Sequence, residues 1–261
     1  MEVKAIVLDL DGTLLKNDKT ISDYTIDILQ RYSMIGKIIV ATGRSIYRIK
    51  NYVSKFETIG SVNNNGGAIY KGTELIKKYD IDPNSIKDLV HRIQALGKTE
   101  VSVWYPTTNL TTNPVYARPN GPTYYSTLED FDTNEIQKIT IFTDEREGML
   151  AIDYSEYGCK LLLNARELNF FSIMNKNVNK SKGLKDLLEA LDIDPKTTIV
   201  FGDDLNDLDL FDMCGKSVAV SNAYELVKDI LNINNFGVIS GGSFAIDMQN
   251  KKPLGLTLGT K

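Results

Sequence analysis

Three short apolar runs in this 261-residue chain end in side chains suited to one kind of chemistry. Val3 to Leu8 leads into Asp9 and Asp11, Lys37 to Ala41 into Thr42 and Gly43, and Thr197 to Phe201 into Asp203 and Asp204. Carboxylates brought together from separate strands can hold a hard cation such as Mg²⁺, which takes oxygen ligands and keeps room for water and phosphate. Such a cation offsets the repulsion between the acids and an incoming phosphate. Phosphoryl transfer further needs a nucleophile in line, positive charge on the transferred oxygens, and an acid for the leaving group. Asp9 suits the nucleophile, since carboxylates form acyl phosphates in covalent catalysis, and Asp11 is placed to protonate the leaving oxygen and later to deprotonate water. Gly12 permits the tight backbone that this placement requires. Thr42 offers a hydroxyl and Gly43 an amide to a phosphoryl oxygen, and Lys182, at the start of a predicted helix, offers a point charge.

The elements that must position these groups can be read from periodicity. A β-branched apolar run that meets acids at its C-terminal end reads as a buried parallel strand, which puts Asp9 at a strand tip. Ser22 to Met34 spaces Ile26, Leu29 and Tyr32 helically behind a Ser22 N-cap, and Gly36 closes it before the Lys37 to Ala41 strand, giving a βαβ unit. A weaker strand over Ile59 to Val62 enters the turn sequence Asn63-Asn64-Asn65-Gly66-Gly67, and Ala68 to Tyr70 resumes an apolar segment.

From Pro83 to Met174 the texture changes. A helix (Ser85 to Leu96), two strands (Val101 to Tyr105, Leu110 to Thr112), a Pro/Gly-containing loop, a strand (Lys138 to Thr143), a helix (Glu145 to Tyr157) and two strands (Lys160 to Asn164, Asn169 to Ile173) predict an antiparallel sheet with helices on one face. Alternation then returns with a helix over Gly183 to Leu191, the Thr197 to Phe201 strand, a helix over Asp207 to Cys214 and a strand over Ser217 to Val220. The fold class is therefore α/β: a doubly wound parallel sheet made by residues 1–82 and 175–261, with an α+β domain, 83–174, inserted. In open parallel sheets reactive groups gather beyond the carboxyl ends of the strands, where the three acid- and threonine-bearing tips lie. The tail from Lys251 has no periodicity.

Composition narrows the partners. Thirty basic and thirty-four acidic side chains give a net charge of -4 and no basic surplus for nucleic acid. The two cysteines, Cys159 and Cys214, are too few for a disulfide framework and fit a reducing cytoplasm. No apolar run is long enough to span a membrane, so no membrane is expected. Oligomeric state is expected to be monomer or weak homodimer.

Four ordered motifs, Asp9-Leu10-Asp11-Gly12-Thr13-Leu14, Ala41-Thr42-Gly43-Arg44, Ser181-Lys182-Gly183 and Gly202-Asp203-Asp204-Leu205-Asn206-Asp207, resemble those of the haloacid dehalogenase superfamily. Within it they are similar to the Cof-type sugar phosphatases, with a C2-type cap inserted after the second motif; Asn65-Gly66-Gly67-Ala68 resembles a further element. The resemblance covers nearly the whole chain and implies a Rossmann-like core and a Mg²⁺-dependent phosphatase acting on a small phosphorylated metabolite. It implies Asp9 as nucleophile and metal ligand and Asp11 as acid/base and metal ligand through its backbone carbonyl. Thr42, Gly43 and Lys182 would meet the phosphoryl group, Asn206 the phosphate or substrate, Asp203 would bind the metal directly, and Asp207 would act through water or behind the direct ligands. Asp204 stands where the family usually has a small residue, and Asp203 is preferred as the ligand.

Plainer readings stand beside these. Acids at strand ends often cap helices, and Thr42-Gly43 alone fits a turn. Lys180 competes with Lys182, but Gly183 and the family register select Lys182 and leave Lys180 as solvated surface. His91 is assigned no role, Trp104 and Tyr105 are read as sheet and core formers, and Cys214 as packing. Arg118, Tyr124 and Tyr125, in the loop of the insertion, are candidate substrate contacts. Two other functions fit the motifs: a phosphohexomutase of the same superfamily, and a phosphometabolite-binding regulator without turnover.

Overall fold

The computed structural model describes residues 3–117, 121–164 and 167–231, together with the backbone of 232–233, 237–238, 246–247 and 252–253. The chain forms two compact units, one of residues 1–44, 48–77 and 179–261 and the other of 45–47 and 78–178. The second unit is a few residues wider at each end than the 83–174 segment expected from sequence texture.

The first unit is built on a sheet whose central strand, β1 (Ala5–Leu8), is buried along its whole length. The sequence Ala-Ile-Val-Leu has no polar face, as a strand covered on both sides requires. Helix α1 (Asp23–Ser33) comes next, capped by Ser22, whose hydroxyl accepts the Thr25 amide. β2 (Lys37–Ala41), α2 (Ile46–Val53), β3 (Gly60–Asn63), a 3₁₀ turn (Asn64–Gly66), β4 (Ala68–Lys71) and β5 (Glu74–Lys78) complete the N-terminal part.

The second unit contributes α3 (Ile86–Gln94), β6 (Thr99–Trp104), β7 (Asn109–Thr111), β8 (Thr123–Tyr125), β9 (Lys138–Thr143), α4 (Arg146–Ala151), β10 (Cys159–Leu163) and β11 (Phe170–Asn175). Its sheet has the order β10-β11-β9-β6-β7-β8, antiparallel except for the β7–β8 pair. Ile86, Leu89, Val90 and Ile93 of α3 share one core with Val101, Val103, Ile139, Ile141, Phe171 and Ile173. These strand residues alternate, so one sheet face is packed by helix and the other carries Ser102, Trp104, Thr140 and Ser172. On that second face the Trp104 indole donates to Thr140 Oγ1 at 2.8 Å.

The chain returns to the first unit with α5 (Lys180–Ala190), β12 (Thr198–Gly202), a 3₁₀ turn (Leu205–Asp207), α6 (Leu208–Met213), β13 (Lys216–Ala219), α7 (Glu225–Ile233) and β14 (Gly237–Val238). The first sheet has the order β14-β13-β12-β1-β2-β3-β4-β5. β1 runs parallel to β12 and β2, with Leu8 opposite Phe201 and Val40, and β4 reverses against β3. The doubly wound core is thus parallel at its centre and mixed at the β4 edge.

Several expectations shift in detail. The helix expected over Glu145 to Tyr157 is broken: α4 ends before Ile152, and Asp153 caps a separate 3₁₀ turn over Tyr154–Tyr157 through the Ser155 amide. A short acid accepting a nearby backbone N–H offers the chain an alternative to continued helix. Two elements fall outside the sequence reading: β5, with the mostly exposed sequence Glu-Leu-Ile-Lys-Lys, and α2, an eight-residue helix that buries only Ile49. The helix expected from Gly183 begins three residues earlier, at Lys180. Arg118 lies outside the described residues, as does most of the tail from Lys251; Tyr124 and Tyr125 are exposed on β8.

Candidate active site

The register of the first sheet sets Asp9 between its neighbours. Because Leu8 lies opposite Phe201 and Val40, the next residue of β1 emerges beside Gly202 and Ala41, one step short of Asp203 and Thr42. Adjacent strands are spaced by roughly 4.8 Å, so the three tips converge with no further device. The Asp9 amide is held by the Phe201 carbonyl (3.0 Å) and the Thr42 amide by the Val62 carbonyl (2.8 Å).

Asp9, Asp203 and Asp207 are buried, and each offers a carboxylate oxygen within 4.8 Å of the others. Thr13 donates its hydroxyl to Asp203 Oδ1 at 2.7 Å. Gly12 has φ +90, and a Cβ there would lie 2.2 Å from Asp203 Oδ2, so only glycine admits this approach of the first loop to the Asp203 carboxylate. Asp204 faces elsewhere: its carboxylate caps the adjoining turn through the Leu205 amide at 2.7 Å.

The lysine at the cluster is Lys180, which replaces Lys182 in the position the motif register suggested. Lys180 Nζ lies 2.6 Å from Asp9 Oδ1 and 2.7 Å from Asp207 Oδ1, and the side chain is 1% exposed. Lys182 instead bonds Asp186, four residues on, at 2.9 Å, with 41% of its side chain exposed. The reason is helical phase. Asn179 caps α5 by accepting the Lys182 amide (2.7 Å), so Lys180 already lies within the helix. At 100° per residue, Lys180 and Lys182 point to opposite sides. Lys180 shares its buried stripe with Gly183, Leu184 and Leu187, the i, i+3, i+4, i+7 pattern that was available in the sequence. Gly183 matters to this placement, since a Cβ would meet Val62 at 2.7 Å and hold the helix off the 64–66 turn.

The electrostatics are those of three acids facing one ammonium. Burial pushes the Asp9 carboxyl well above the usual carboxylate range; Lys180 opposes this, and Asp207 and Asp203 add to it. Burial disfavours the Lys180 ammonium, but Asp207 and Asp9 outweigh it and hold the group charged. The arrangement carries excess negative charge in a buried place, which a cation relieves.

The donor set fits a hard divalent ion: it is all carboxylate oxygen, with no sulfur or imidazole. The three acids are not equally available. Asp207 Oδ1 accepts from Lys180, and its Oδ2 accepts the amides of Asp203 (3.1 Å) and Asp204 (3.2 Å). Asp207 thus serves to hold the lysine and the β12 turn. Asp9 accepts from Lys180 at Oδ1, and its Oδ2 takes no hydrogen bond among the described residues.

Asp11 is drawn to other partners. Its carboxylate takes Arg44 Nε and Nη2 at 2.6 Å each and Lys19 Nζ at 2.8 Å. Burial raises its pKa, but the hydrogen bonds from Arg44 and Lys19 and their charges prevail and lower it to about 2. Thr42 is buried at the tip of β2, its hydroxyl accepting the Arg44 amide at 3.2 Å. Gly43 lies against Asn65, whose Oδ1 also accepts from Asn206 Nδ2 at 3.2 Å. Asn64 and Asn65 both have positive φ, 49 and 53, strain of the kind that gathers at functional sites. Arg44, Lys19 and Asn65 had no role in the sequence reading: their partners are distant in sequence or set by a turn conformation that residue type does not announce.

Known proteins are similar over most of the chain. The 5-amino-6-(5-phospho-D-ribitylamino)uracil phosphatase YitU of Bacillus subtilis is 28% identical over 259 residues, covering 89% of this chain and 92% of its own length. The crystal structure of TM0651 from Thermotoga maritima superimposes with a TM-score of 0.74 at 26% identity, covering 88% of this chain and 90% of that one. The subclass IIB sugar phosphatase BT4131 shares the fold with a TM-score of 0.71 at 22% identity, covering 87% and 90%. The model of the haloacid dehalogenase-like hydrolases matches residues 6–234, and the chain belongs to that family.

Proposed function

We propose that this hydrolase is a Mg²⁺-dependent phosphatase that releases phosphate from a small phosphorylated metabolite, a sugar phosphate or similar, through an aspartyl-phosphate on Asp9. The observation that carries the reading is the buried Asp9 carboxylate with Lys180 on one oxygen and Asp203 beside it. The phosphatase names of YitU and BT4131 support the same chemistry. Asp9 and Asp203 would hold the metal, with the Asp11 carbonyl assigned by family resemblance, and the ion would draw charge from the phosphoryl oxygens.

Asp9 Oδ2 attacks phosphorus as the P–O bond to the leaving group breaks, and Asp11, which its pairs with Arg44 and Lys19 hold ionised before substrate enters, takes up a proton from solvent and gives it to the leaving oxygen. Water then attacks the phosphorus of the acyl phosphate and passes a proton to Asp11. The P–O bond to Asp9 breaks, returning the carboxylate and freeing phosphate. Lys180 holds Asp9 in line and neutralises charge, and Thr42 and Gly43 lie at the adjoining tip to receive a phosphoryl oxygen. The 83–174 segment is proposed as the cap that selects the leaving group, and two buried free thiols favour a cytoplasmic setting.

Phosphate release from a panel of phosphorylated metabolites with Mg²⁺ tests the reading. Acid quench with ³²P-labelled substrate should trap label on the protein, and Asp9→Asn should lose both label and turnover. Isomerised sugar phosphate without free phosphate would instead identify a mutase. Turnover of Asp9→Asn equal to the parent would overturn the nucleophile.

A further inference from the structure

Asp11 is gripped by two cations from different elements, and one of them sits in an unusual backbone conformation. Arg44, just beyond β2, meets the carboxylate with two parallel hydrogen bonds, a pairing that fixes direction as well as distance. Its guanidinium is itself anchored, donating to the Tyr52 hydroxyl at 3.2 Å, and 17% of its side chain is exposed. Lys19 reaches the same carboxylate from the loop after β1, with 55% of its side chain exposed.

That loop is a tight turn. The Lys16 amide bonds the Thr20 carbonyl, the Lys19 amide bonds the Lys16 carbonyl, both at 2.9 Å, and Asp18 Oδ1 accepts from the Thr20 amide. Such a three-residue turn needs its last loop residue in the left-handed region, where glycine is the default. Here the residue is Lys19, at φ 61. Turn geometry alone would select glycine; the side chain that stands there instead ends on Asp11.

We propose that Lys19 and Arg44 are positioning residues that aim the Asp11 carboxylate, Arg44 as the more buried partner and Lys19 as the more exposed one, so that proton transfer to the leaving group depends on a turn residue outside the four motifs. This rests on the reading of Asp11 as the acid and base of a phosphatase. Lys19 holds one side of the carboxylate while Arg44 fixes its register.

Lys19→Gly provides the test, because glycine suits the left-handed turn position and removes the side chain that carries the ammonium. Turnover of p-nitrophenyl phosphate, whose leaving group needs little protonation, is compared with that of phenyl phosphate, whose leaving group needs more, and kcat/KM reports the step in which that bond breaks. Lys19→Gly should lose about tenfold more activity on phenyl phosphate than on p-nitrophenyl phosphate, with an unchanged or raised Tm, and Lys19→Arg should restore most of the loss. Asp11→Asn in the same series separates the two readings. If it shows no such discrimination, Asp11 is not the acid and the underlying reading falls. If it discriminates while Lys19→Gly tracks the parent, the positioning role falls. A crystal structure of Lys19→Gly gives an answer independent of turnover: an Asp11 carboxylate unmoved and equally ordered overturns the proposal.

Discussion

Lys180 Nζ stands between Asp9 and Asp207, 2.6 Å from one carboxylate and 2.7 Å from the other, although 171 residues separate Lys180 from Asp9. A wholly buried ammonium bridging two buried acids makes this lysine a partner that the site cannot lose without leaving uncompensated charge. Lys180→Met should therefore lower kcat by at least about a hundredfold and cost about 3 kcal/mol of stability in the absence of metal. Lys182→Met should leave kcat within about twofold, because Lys182 meets Asp186 with much of its side chain in solvent and such pairs contribute little. Steady-state kinetics and thermal melts on both variants check this; the reverse ranking would restore Lys182 to the site.

Metal binding should be visible in stability before any substrate is known. Saturation at about a hundred times Kd is worth about 2.7 kcal/mol, so Mg²⁺ should raise the Tm and Asp203→Asn should abolish the rise.

The pH dependence of that rise has a definite sign. In the metal-free protein the Asp9 carboxyl is raised above 3.8, so the folded state holds its proton more tightly than the unfolded one. Stability is then present at low pH and is lost as pH rises through the folded value. A cation removes the penalty, so the Mg²⁺-induced gain in Tm should grow as pH rises above 3.8, the ordinary value of the carboxyl. A gain independent of pH would count against Asp9 as a metal ligand.

Asp11 should act in the opposite sense. Its folded pKa is lowered to about 2 from 3.8, so its contribution is present above 3.8 and lost as pH falls toward 2. The Tm difference between the parent and Asp11→Asn should shrink over that window and be constant above about pH 5. Paired melts in EDTA measure it.

Gly12→Ala should disturb the site without removing a charged group. The added Cβ would fall 2.2 Å from Asp203 Oδ2, and φ +90 is a conformation alanine resists. A loss of about 1–3 kcal/mol is expected from the backbone alone, together with weaker Mg²⁺ binding by calorimetry. Unaltered metal affinity would mean the Gly12 to Asp203 approach is not needed.

Much of this was legible in the residues themselves. Apolar runs that stop at acids identify strand tips, because a buried strand cannot carry a carboxylate inside the sheet, and parallel pairing of β1 with β2 and β12 then brings Asp9, Thr42 and Asp203 together. The Ser22 cap and the alternation of the inserted sheet were equally local. What local spacing could not decide was helical phase and charge partnership. Lys180 and Lys182 differ by two positions in sequence and by opposite faces in space, and only the Asn179 cap and the packing of Gly183 on Val62 and the 64–66 turn determine which one is buried. Likewise Asp11 reads as a free acid in its motif, and only the folded chain, by bringing Arg44 from beyond β2 and Lys19 from a left-handed turn, decides which cations hold it. Residue types set what each side chain can do; long-range packing chose which of them meet.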